Sequence, residues 1–176
     1  SIPPYTKDPI LKQFRFTNIR REHDKETKWL IQHITSNPDL RYEDKLLNCI
    51  LFRLFNKHET AELIGMPIAF SKFYDPEIYR FAFAKQKKLN PKYVFFTGAF
   101  NTGGLKRALK WYLPDGRADS MEMRVMYFMQ YLIDEGVTHY LTASDADSPE
   151  AVCELLQSYM GIGEFLAYQM FVDMTY

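Results

Sequence analysis

Two polar side chains near the end of the chain could take part in chemistry on a bound substrate. Gln169 and Asp173 are four residues apart, so a helix would place them on one face of an otherwise apolar segment. A carboxylate in such surroundings needs a charged partner or a raised pKa, and either makes it a candidate catalytic group. Asp173 could stabilise a developing sugar cation or activate a nucleophile. The alternative is a structural acid that pairs with an arginine such as Arg53 or Arg21.

A glycine-rich turn precedes these two residues. Residues 155–176 predict a helix, a turn at Gly161-Ile162-Gly163, and a second helix from Glu164 onward that is apolar on nearly every side and should be buried. Glycine permits a positive φ on both sides of Ile162, which we expect to point into the core. Amides that open onto a helix N-terminus bind anions, so Gly161 and Gly163 are candidate contacts to a phosphate group. A plain corner between two helices is the alternative.

Two adjacent arginines near the start of the chain could bind another phosphate. Arg20 and Arg21 follow Asn18 and begin a highly charged stretch. A guanidinium group can donate two parallel hydrogen bonds to one phosphate, which makes these three residues candidate phosphate contacts. A solvated helix face with ion pairs four residues apart is the alternative.

A second set of candidate binding residues lies in the middle of the chain. Asn48, Phe52 and Asn56 follow one another at intervals of four on a predicted helix, with Arg53 beside them. A ring between two amides could contact a base or a sugar. The same residues could instead form a helix contact with hydrogen-bonded edges. Thr97 and Gly98 follow four β-prone residues, which could form a short strand, although no second strand is evident to pair with it. The alternative is a buried loop in which Gly98 lets the backbone approach a ligand closely.

Some kinds of site are not indicated by the sequence. A Walker loop is absent, because no lysine followed by serine or threonine stands at the required distance after a glycine, and we expect no mononucleotide kinase site in this chain. The four histidines are scattered, with no pair four residues apart, which argues against zinc or iron. We therefore expect neither a metal nor a cofactor.

Periodic apolar residues predict an all-α fold. Residues 39–56 and 119–135 carry apolar side chains at helical spacing and are expected to form core helices. Further helices are expected at residues 17–34, 59–65, 75–88 and 105–113, the last of them short and basic, and after residue 148. The expected capping residues are Thr17, Asp75, Ser120 and Ser148. The prediction is at least six helices and no sheet of three or more strands.

Composition narrows the class of protein. The chain has 176 residues, of which 47% are hydrophobic, so we expect a single domain over residues 1–176 with a proline-broken entry arm at residues 1–16. No apolar run could span a membrane, and no signal peptide opens the chain. The two cysteines are expected to be reduced, in the cytoplasm of a bacterial or phage-infected cell or in a eukaryotic nucleus. Because the first residue is serine, we expect a processed or partial chain.

The charges are distributed unevenly along the chain. Residues 1–110 contain 20 Lys and Arg against 11 Asp and Glu, and residues 111–176 contain 2 against 11. A basic first half suits a bound polyanion such as DNA. It suits equally well an internal docking of the basic half onto the acidic half.

Five spaced blocks resemble a known protein family. The blocks are Phe16-Thr17-Asn18-x-x-Arg21-Glu22-x-Asp24, Asn48-x-x-Leu51-Phe52-Arg53-Leu54-Phe55-Asn56, Thr97-Gly98-Ala99-Phe100, Met160-Gly161-Ile162-Gly163-x-Phe165-Leu166-Ala167-Tyr168-Gln169 and Asp173-x-x-Tyr176. In this order they are similar to the α-glutamyl/putrescinyl thymine pyrophosphorylase family, or the helical domain of 5-hydroxymethyl-deoxyuridine DNA kinase. The block at residues 160–169 by itself resembles the helix-hairpin-helix of DNA glycosylases, and residues 155–176 would form it here.

The resemblance implies a DNA substrate and action on a modified pyrimidine such as 5-hydroxymethyluracil, in the setting of phage thymine hypermodification. Two departures from DNA glycosylases leave the chemistry open. Glu164 stands where glycosylase hairpins commonly carry a basic residue, and their catalytic aspartate lies beyond the residues of this chain. Three hypotheses follow: an enzyme that flips and attacks a modified thymine, a module that positions DNA for a catalytic partner domain or protein, and a structural protein that reuses the fold.

Overall fold

This computed structural model describes residues 20–97, 103–113, 115–143 and 148–176. All the regular secondary structure in these ranges is helical. No strand occurs in these ranges, so the predicted all-α fold is confirmed. The helices are α1 (Lys25–Leu30), α2 (Tyr42–Phe55), α3 (His58–Leu63), α4 (Arg80–Leu89), α5 (Gly103–Tyr112), α6 (Met121–Asp134), α7 (Val137–Thr142), α8 (Pro149–Ser158) and α9 (Glu164–Met174). None of them combines the length and the apolar character that crossing a membrane requires.

The two helices predicted for the core, α2 and α6, lie at its centre. In α2, the consecutive residues Ile50 and Leu51 are both removed from solvent, because neighbours cover the helix on several sides. Helix α2 contacts α6, α7 and α9, and α5 packs along α6. In α6, the flexible side chains of Met123, Met126 and Met129 are buried and fill the space between these helices.

Side-chain caps fix several helix starts. Asp75, Ser120 and Ser148 each accept a hydrogen bond from a backbone amide two or three residues later, as their sequence positions predict. Asp75 begins a short 3-10 turn, Pro76–Tyr79, that leads directly into α4. These caps satisfy amides that have no partner within their own helix.

Two predicted helix starts differ from the structure. Helix α1 begins immediately after Asp24, whose carboxylate accepts from two backbone amides of the first turn. The capping role predicted for Thr17 lies outside the described residues. Helix α2 begins at Tyr42 rather than at Asp39, because the amide of Asp39 donates to the side chain of Asn37 and holds a turn before the helix.

The turn between α8 and α9 differs from the prediction at one of its two glycines. Gly161 has a φ of 112°, whereas Gly163 has a φ of −89° and a ψ of 169°, so the positive φ predicted at both glycines occurs only at the first. Gly163 has extended backbone because it is the N-cap residue of α9. Ile162 is buried, as predicted. A Cβ atom at Gly104 would lie 3.1 Å from the Cα atom of Gly161, so the start of α5 presses against this turn.

The prediction that α9 is buried on nearly every side is wrong for one face. Leu166, Ala167 and Met170 are buried where α9 packs against α2 and α8. Phe165 and Tyr168 are 62% and 55% exposed. The helix is apolar on both sides in sequence, but the fold covers only one of them.

The turn geometry predicts unequal effects of substitution at its two glycines. We expect Gly161→Ala to lower the free energy of unfolding by about 1–3 kcal/mol, because a non-glycine residue disfavours this φ. Its Cβ atom would also lie 3.3 Å from Cδ2 of Leu105. Gly163→Ser is the matched control, since no heavy atom lies within 4 Å of its Cβ position and serine suits an N-cap. We expect a change within about 0.5 kcal/mol there. Urea denaturation measures both, and equal losses would contradict the geometry.

Candidate functional site

A buried ion pair joins α2 to α9. Asp173 has no solvent-exposed surface, and Arg53 donates to both of its carboxylate oxygens: Nε to Oδ2 and Nη2 to Oδ1, each at 2.6 Å. The planar guanidinium matches the carboxylate in this paired geometry. Arg53 is itself buried. The structure therefore contains the arginine partner that the sequence suggested for Asp173 as the alternative to catalysis.

Arg21 adds a second guanidinium to the same carboxylate. Its Nη2 atom lies 3.0 Å from Oδ1 of Asp173, and its Nη1 atom donates to Oε1 of Gln169. Gln169 and Asp173 therefore share one face of α9, because both bind the same side chain. Arg21 belongs to a 3-10 turn, Arg21–His23, that precedes α1. Its side chain is 24% exposed, so this edge of the site meets solvent.

The hydrogen bonds continue from Arg53 to the segment at residues 93–97. Arg53 Nη1 donates to Oδ1 of Asn56 at 2.5 Å, and Asn56 Nδ2 donates to Oγ1 of Thr97 at 2.7 Å. Asn56 ends α2 in a left-handed conformation with a φ of 50°. The six residues linked in this way, here named the polar cluster, are Arg21, Arg53, Asn56, Thr97, Gln169 and Asp173.

The electrostatics of the polar cluster favour a held carboxylate over a reactive one. Burial raises the pKa of Asp173 above its ordinary value, and the hydrogen bonds and charges of Arg53 and Arg21 oppose that rise. Two guanidinium charges around one carboxylate leave an excess positive charge, whose exposed edge is Arg21. The thiol of Cys49 lies 3.8 Å from the backbone oxygen of Asp173. Burial and the charge of Asp173 raise the pKa of this thiol, so Cys49 offers no thiolate nucleophile.

The polar and aromatic face predicted on α2 lies inside the protein. Asn48 Nδ2 donates to the backbone oxygens of Asp44 and Ile68, both at 2.7 Å, and Oδ1 accepts from the Ile68 amide at 2.8 Å. Phe52 is fully buried and stacks on Trp29 with ring centroids 5.3 Å apart. In this arrangement Asn48 joins α2 to the segment around residue 68, and no part of its amide faces a base or a sugar.

The remaining candidate DNA contacts are not part of the polar cluster. Arg20 is exposed beside Arg21. Gly161 is enclosed by side chains of α5 and α6, while Gly163 is exposed at the start of α9. Asn18 and Gly98 lie outside the described residues.

The fold brings together three possible metal ligands that the sequence spacing does not reveal. The ligand atoms of Glu26, His58 and Glu59 lie within 4.8 Å of one another. The carboxylate of Glu26 accepts from the His58 backbone amide at 2.5 Å and lies 3.1 Å from its ring Nδ1. Lys25 donates to Glu59 at 3.2 Å. Glu26 thus anchors the start of α3 to α1, and Lys25 is a charged partner of Glu59.

A comparison with protein families identifies the group to which this arrangement belongs. The sequence profile of the family described as 5-hmdU DNA kinase, helical domain, matches residues 1–176. The chain belongs to this family. The family resemblance carried by the five sequence blocks is confirmed, and the polar cluster draws its residues from all five.

Among curated proteins, this helical domain is similar to the 5-hmdU DNA kinase of Bacillus phage SP10. The two are 29% identical over 177 residues, which cover 97% of this chain and 27% of the phage protein. The chain therefore spans about a quarter of the length of that relative. No solved structure is significantly similar to the helical domain. Its likeness to the helix-hairpin-helix fold of DNA glycosylases stays a prediction.

Asn56 was considered, with Asn48 and Phe52, as a possible contact to a base or a sugar, and the structure instead places it in the polar cluster. Its position carries a recognisable pattern, since asparagine directly after an apolar helical segment is a frequent left-handed helix end. That pattern predicts the backbone conformation. The role of its side chain as a bridge between Arg53 and Thr97 depends on the approach of residues 93–97, which local sequence does not specify.

The buried ion pair of this helical domain predicts a large effect on stability. Asp173→Asn removes the charge that compensates Arg53, and loss of one partner of a buried pair costs about 3–5 kcal/mol. Asp119→Asn is the control, because the pair between Asp119 and Arg80 is solvent-exposed and such pairs contribute about 0–1 kcal/mol. Urea denaturation at pH 7 compares the two variants. A loss below about 1 kcal/mol in Asp173→Asn would mean that the pair does not hold α9 in place.

Proposed function

We propose that this domain binds DNA that contains 5-hydroxymethyluracil and positions the modified base for phosphorylation by a catalytic domain outside this chain. The observation that carries the proposal is the family match over residues 1–176. The similar phage protein is named as a 5-hmdU DNA kinase, and it is much longer than this chain. In this proposal the kinase chemistry belongs to a separate catalytic domain of a longer protein. The helical domain contributes substrate binding.

Two properties of the chain support a binding role over a catalytic one. First, phosphoryl transfer from a nucleotide commonly relies on a phosphate-binding loop with lysine, and the sequence contains no Walker loop. Second, both carboxylate oxygens of Asp173 already accept hydrogen bonds from arginine. A general base needs a free lone pair directed at the substrate. On the side of Asp173 that faces Arg53, the carboxylate lone pairs are already used by these hydrogen bonds. The alternative of a base-excising or transferring enzyme would require this ion pair to open.

The polar cluster gives the binding proposal a structural basis. Asp173 holds Arg21 by its Nη2 atom, and Gln169 holds the Nη1 atom. A guanidinium fixed in this way loses little further conformational entropy when an anion approaches its exposed edge. Arg20, the next residue, is exposed and extends the same positive region. The two arginines would therefore contact the DNA backbone close to the polar cluster.

The turn before α9 completes the proposed DNA surface. Gly163 is exposed, and as the N-cap residue it offers no side chain to the first amides of α9. Such amides, together with the helix dipole, bind phosphate. This is the part of the proposal in which the domain works like the helix-hairpin-helix of a DNA glycosylase. The modified base would then lie between the hairpin and the arginine edge.

The proposal is tested by binding to duplex DNA with a single 5-hydroxymethyluracil, compared with the same duplex containing thymine. One additional hydrogen bond to the hydroxyl group contributes about 0.5–1.5 kcal/mol, which predicts about twofold to tenfold tighter binding. Affinity should fall steeply with salt, because phosphate contacts release counterions. Fluorescence anisotropy over a salt series measures both properties.

A pair of variants ties the binding to the proposed surface. Arg20→Ala should reduce the slope of log affinity against log salt by about 0.9, the contribution of one phosphate contact. Arg41→Ala is the control, because Arg41 is exposed and lies 3.7 Å from the carboxylate of Glu43. It should leave the slope unchanged. Affinity that is independent of salt, or identical for the two duplexes, would refute the proposal.

A further inference from the structure

Helix α5 presents a basic and aromatic face to solvent. Lys106, Arg107, Lys110 and Trp111 are all exposed, and their spacing places them on one side of the helix. Trp111 is 81% exposed, the largest fraction among the big hydrophobic side chains that the structure describes. On the opposite side, Leu105 is fully buried where α5 packs along α6. An exposed indole beside three cations is not required by the packing of this helix.

The three cations of α5 have no carboxylate partner in the part of the chain that the structure describes. Within the described ranges, none of them forms an ion pair. Arg80 and Arg117, on nearby surface, both pair with carboxylates, at 2.7 Å to Glu77 and 2.5 Å to Asp115. The α5 face therefore retains a positive charge that a polyanion can use.

A groove beside α5 extends this positive surface. It has a volume of about 330 Å³ and is lined by Lys106 and Lys110 of α5 and Arg124 of α6, among others. Among the described residues of its lining, the one acid is Asp119, which is already paired with Arg80 at 2.9 Å. A space of this size admits a small ligand or one nucleotide unit.

The α5 face is continuous with the turn before α9. Gly104 and Gly161 approach so closely that a Cβ atom at Gly104 would lie 3.1 Å from the Cα atom of Gly161. The start of α5 therefore lies at the proposed phosphate-binding turn, and Trp111 lies near the other end of a helix about 15 Å long. A strand that contacts the turn can continue along α5.

We propose that α5 binds an unpaired strand of DNA, with Lys106, Arg107 and Lys110 on its phosphates and Trp111 stacked on one of its bases. This inference rests on the proposed function. It adds the surface that binds the DNA, which is α5, and the form of the bound DNA, which is single-stranded. A base can stack on an exposed indole only when it is not enclosed in a duplex, and every base offers a suitable ring face. Enzymes that act on a base either extrude it from the duplex, which leaves it unpaired, or take single-stranded DNA as substrate.

A membrane surface is the other polyanion that a helix with lysines and tryptophan could meet. A helix that lies in a membrane interface needs a wide apolar face turned outward. In α5 the leucines at 105 and 109 are buried, and Trp111 is the large apolar side chain that is strongly exposed. The α5 face therefore fits a nucleic acid better than a lipid surface.

The two tryptophans of the chain allow a direct test. Trp29 is 7% exposed and stacked between His33 and Phe52, whereas Trp111 is open to solvent. Addition of single-stranded oligothymidylate should quench the emission of Trp111 and leave that of Trp29 unchanged. Trp111→Leu should abolish the quenching and weaken binding of the single strand about 5- to 100-fold, and Trp111→Phe should retain most of the affinity.

The matched controls use a second exposed helix. Phe81 on α4 is 75% exposed and is followed by the exposed lysines Lys85 and Lys88, so α4 offers a comparable aromatic and basic face. Lys106→Ala with Lys110→Ala should lower the salt slope for the single strand by about 1.4. Phe81→Leu and the pair Lys85→Ala with Lys88→Ala should have no effect on binding.

The outcomes separate this inference from the proposed function. Loss of affinity in the α4 variants but not in the α5 variants would overturn it. The inference would also be overturned if single strands caused no change in Trp111 emission while the 5-hydroxymethyluracil duplex bound tightly. That result would leave the proposed function standing. Failure of every DNA to bind would refute both. A shift of Trp111 emission with anionic lipid vesicles, but not with DNA, would assign α5 to a membrane surface instead.

Discussion

The buried carboxylate of Asp173 imposes the strictest requirement on this fold. An ionised group away from water is tolerated only when its oxygens are bonded and its charge is compensated. Here that condition is met by Arg53, 120 positions earlier in the chain, through two hydrogen bonds of 2.6 Å. Such bonds allow little error in the relative position of α2 and α9. The ion pair therefore constrains the relative position of α2 and α9.

The same requirement explains how distant segments come together at the site. Arg21 brings in the segment before α1, and Asn56 brings in Thr97. The arginines come from the basic half of the sequence and Asp173 from the acidic half. Part of the charge asymmetry thus serves internal docking, as the second interpretation of the sequence held. The cations of α5 belong to the same basic half and are not used in this way.

Sequence patterns predict those features that depend on a few neighbouring residues. The apolar spacing of α2 and α6 and the caps at Asp75, Ser120 and Ser148 are local, and the structure agrees with them. The spacing of Gln169 and Asp173 correctly indicated a shared face. The arginine partners were also nameable, because a buried carboxylate has few possible counterions.

Features that depend on distant packing were not predictable in this way. The apolar residues of α9 do not reveal which of its faces the fold covers, so Phe165 and Tyr168 were expected to be buried. Glu26 and His58 are 32 positions apart, and their contact follows from the packing of α1 against α3. Asn48 shows the converse, since a polar residue on α2 suggests a surface until its partners around Ile68 are known.

The buried methionines of α6 make the core sensitive to oxidation by peroxide. Met123, Met126 and Met129 are almost entirely shielded from solvent. Peroxide converts an accessible methionine to its sulfoxide, a polar group that the packed core cannot accept. Oxidation of these three residues therefore has to wait for a local opening of the fold. A sulfoxide formed during such an opening would disfavour the return of α6 to its packed position in the core. A transient opening would then become a lasting one.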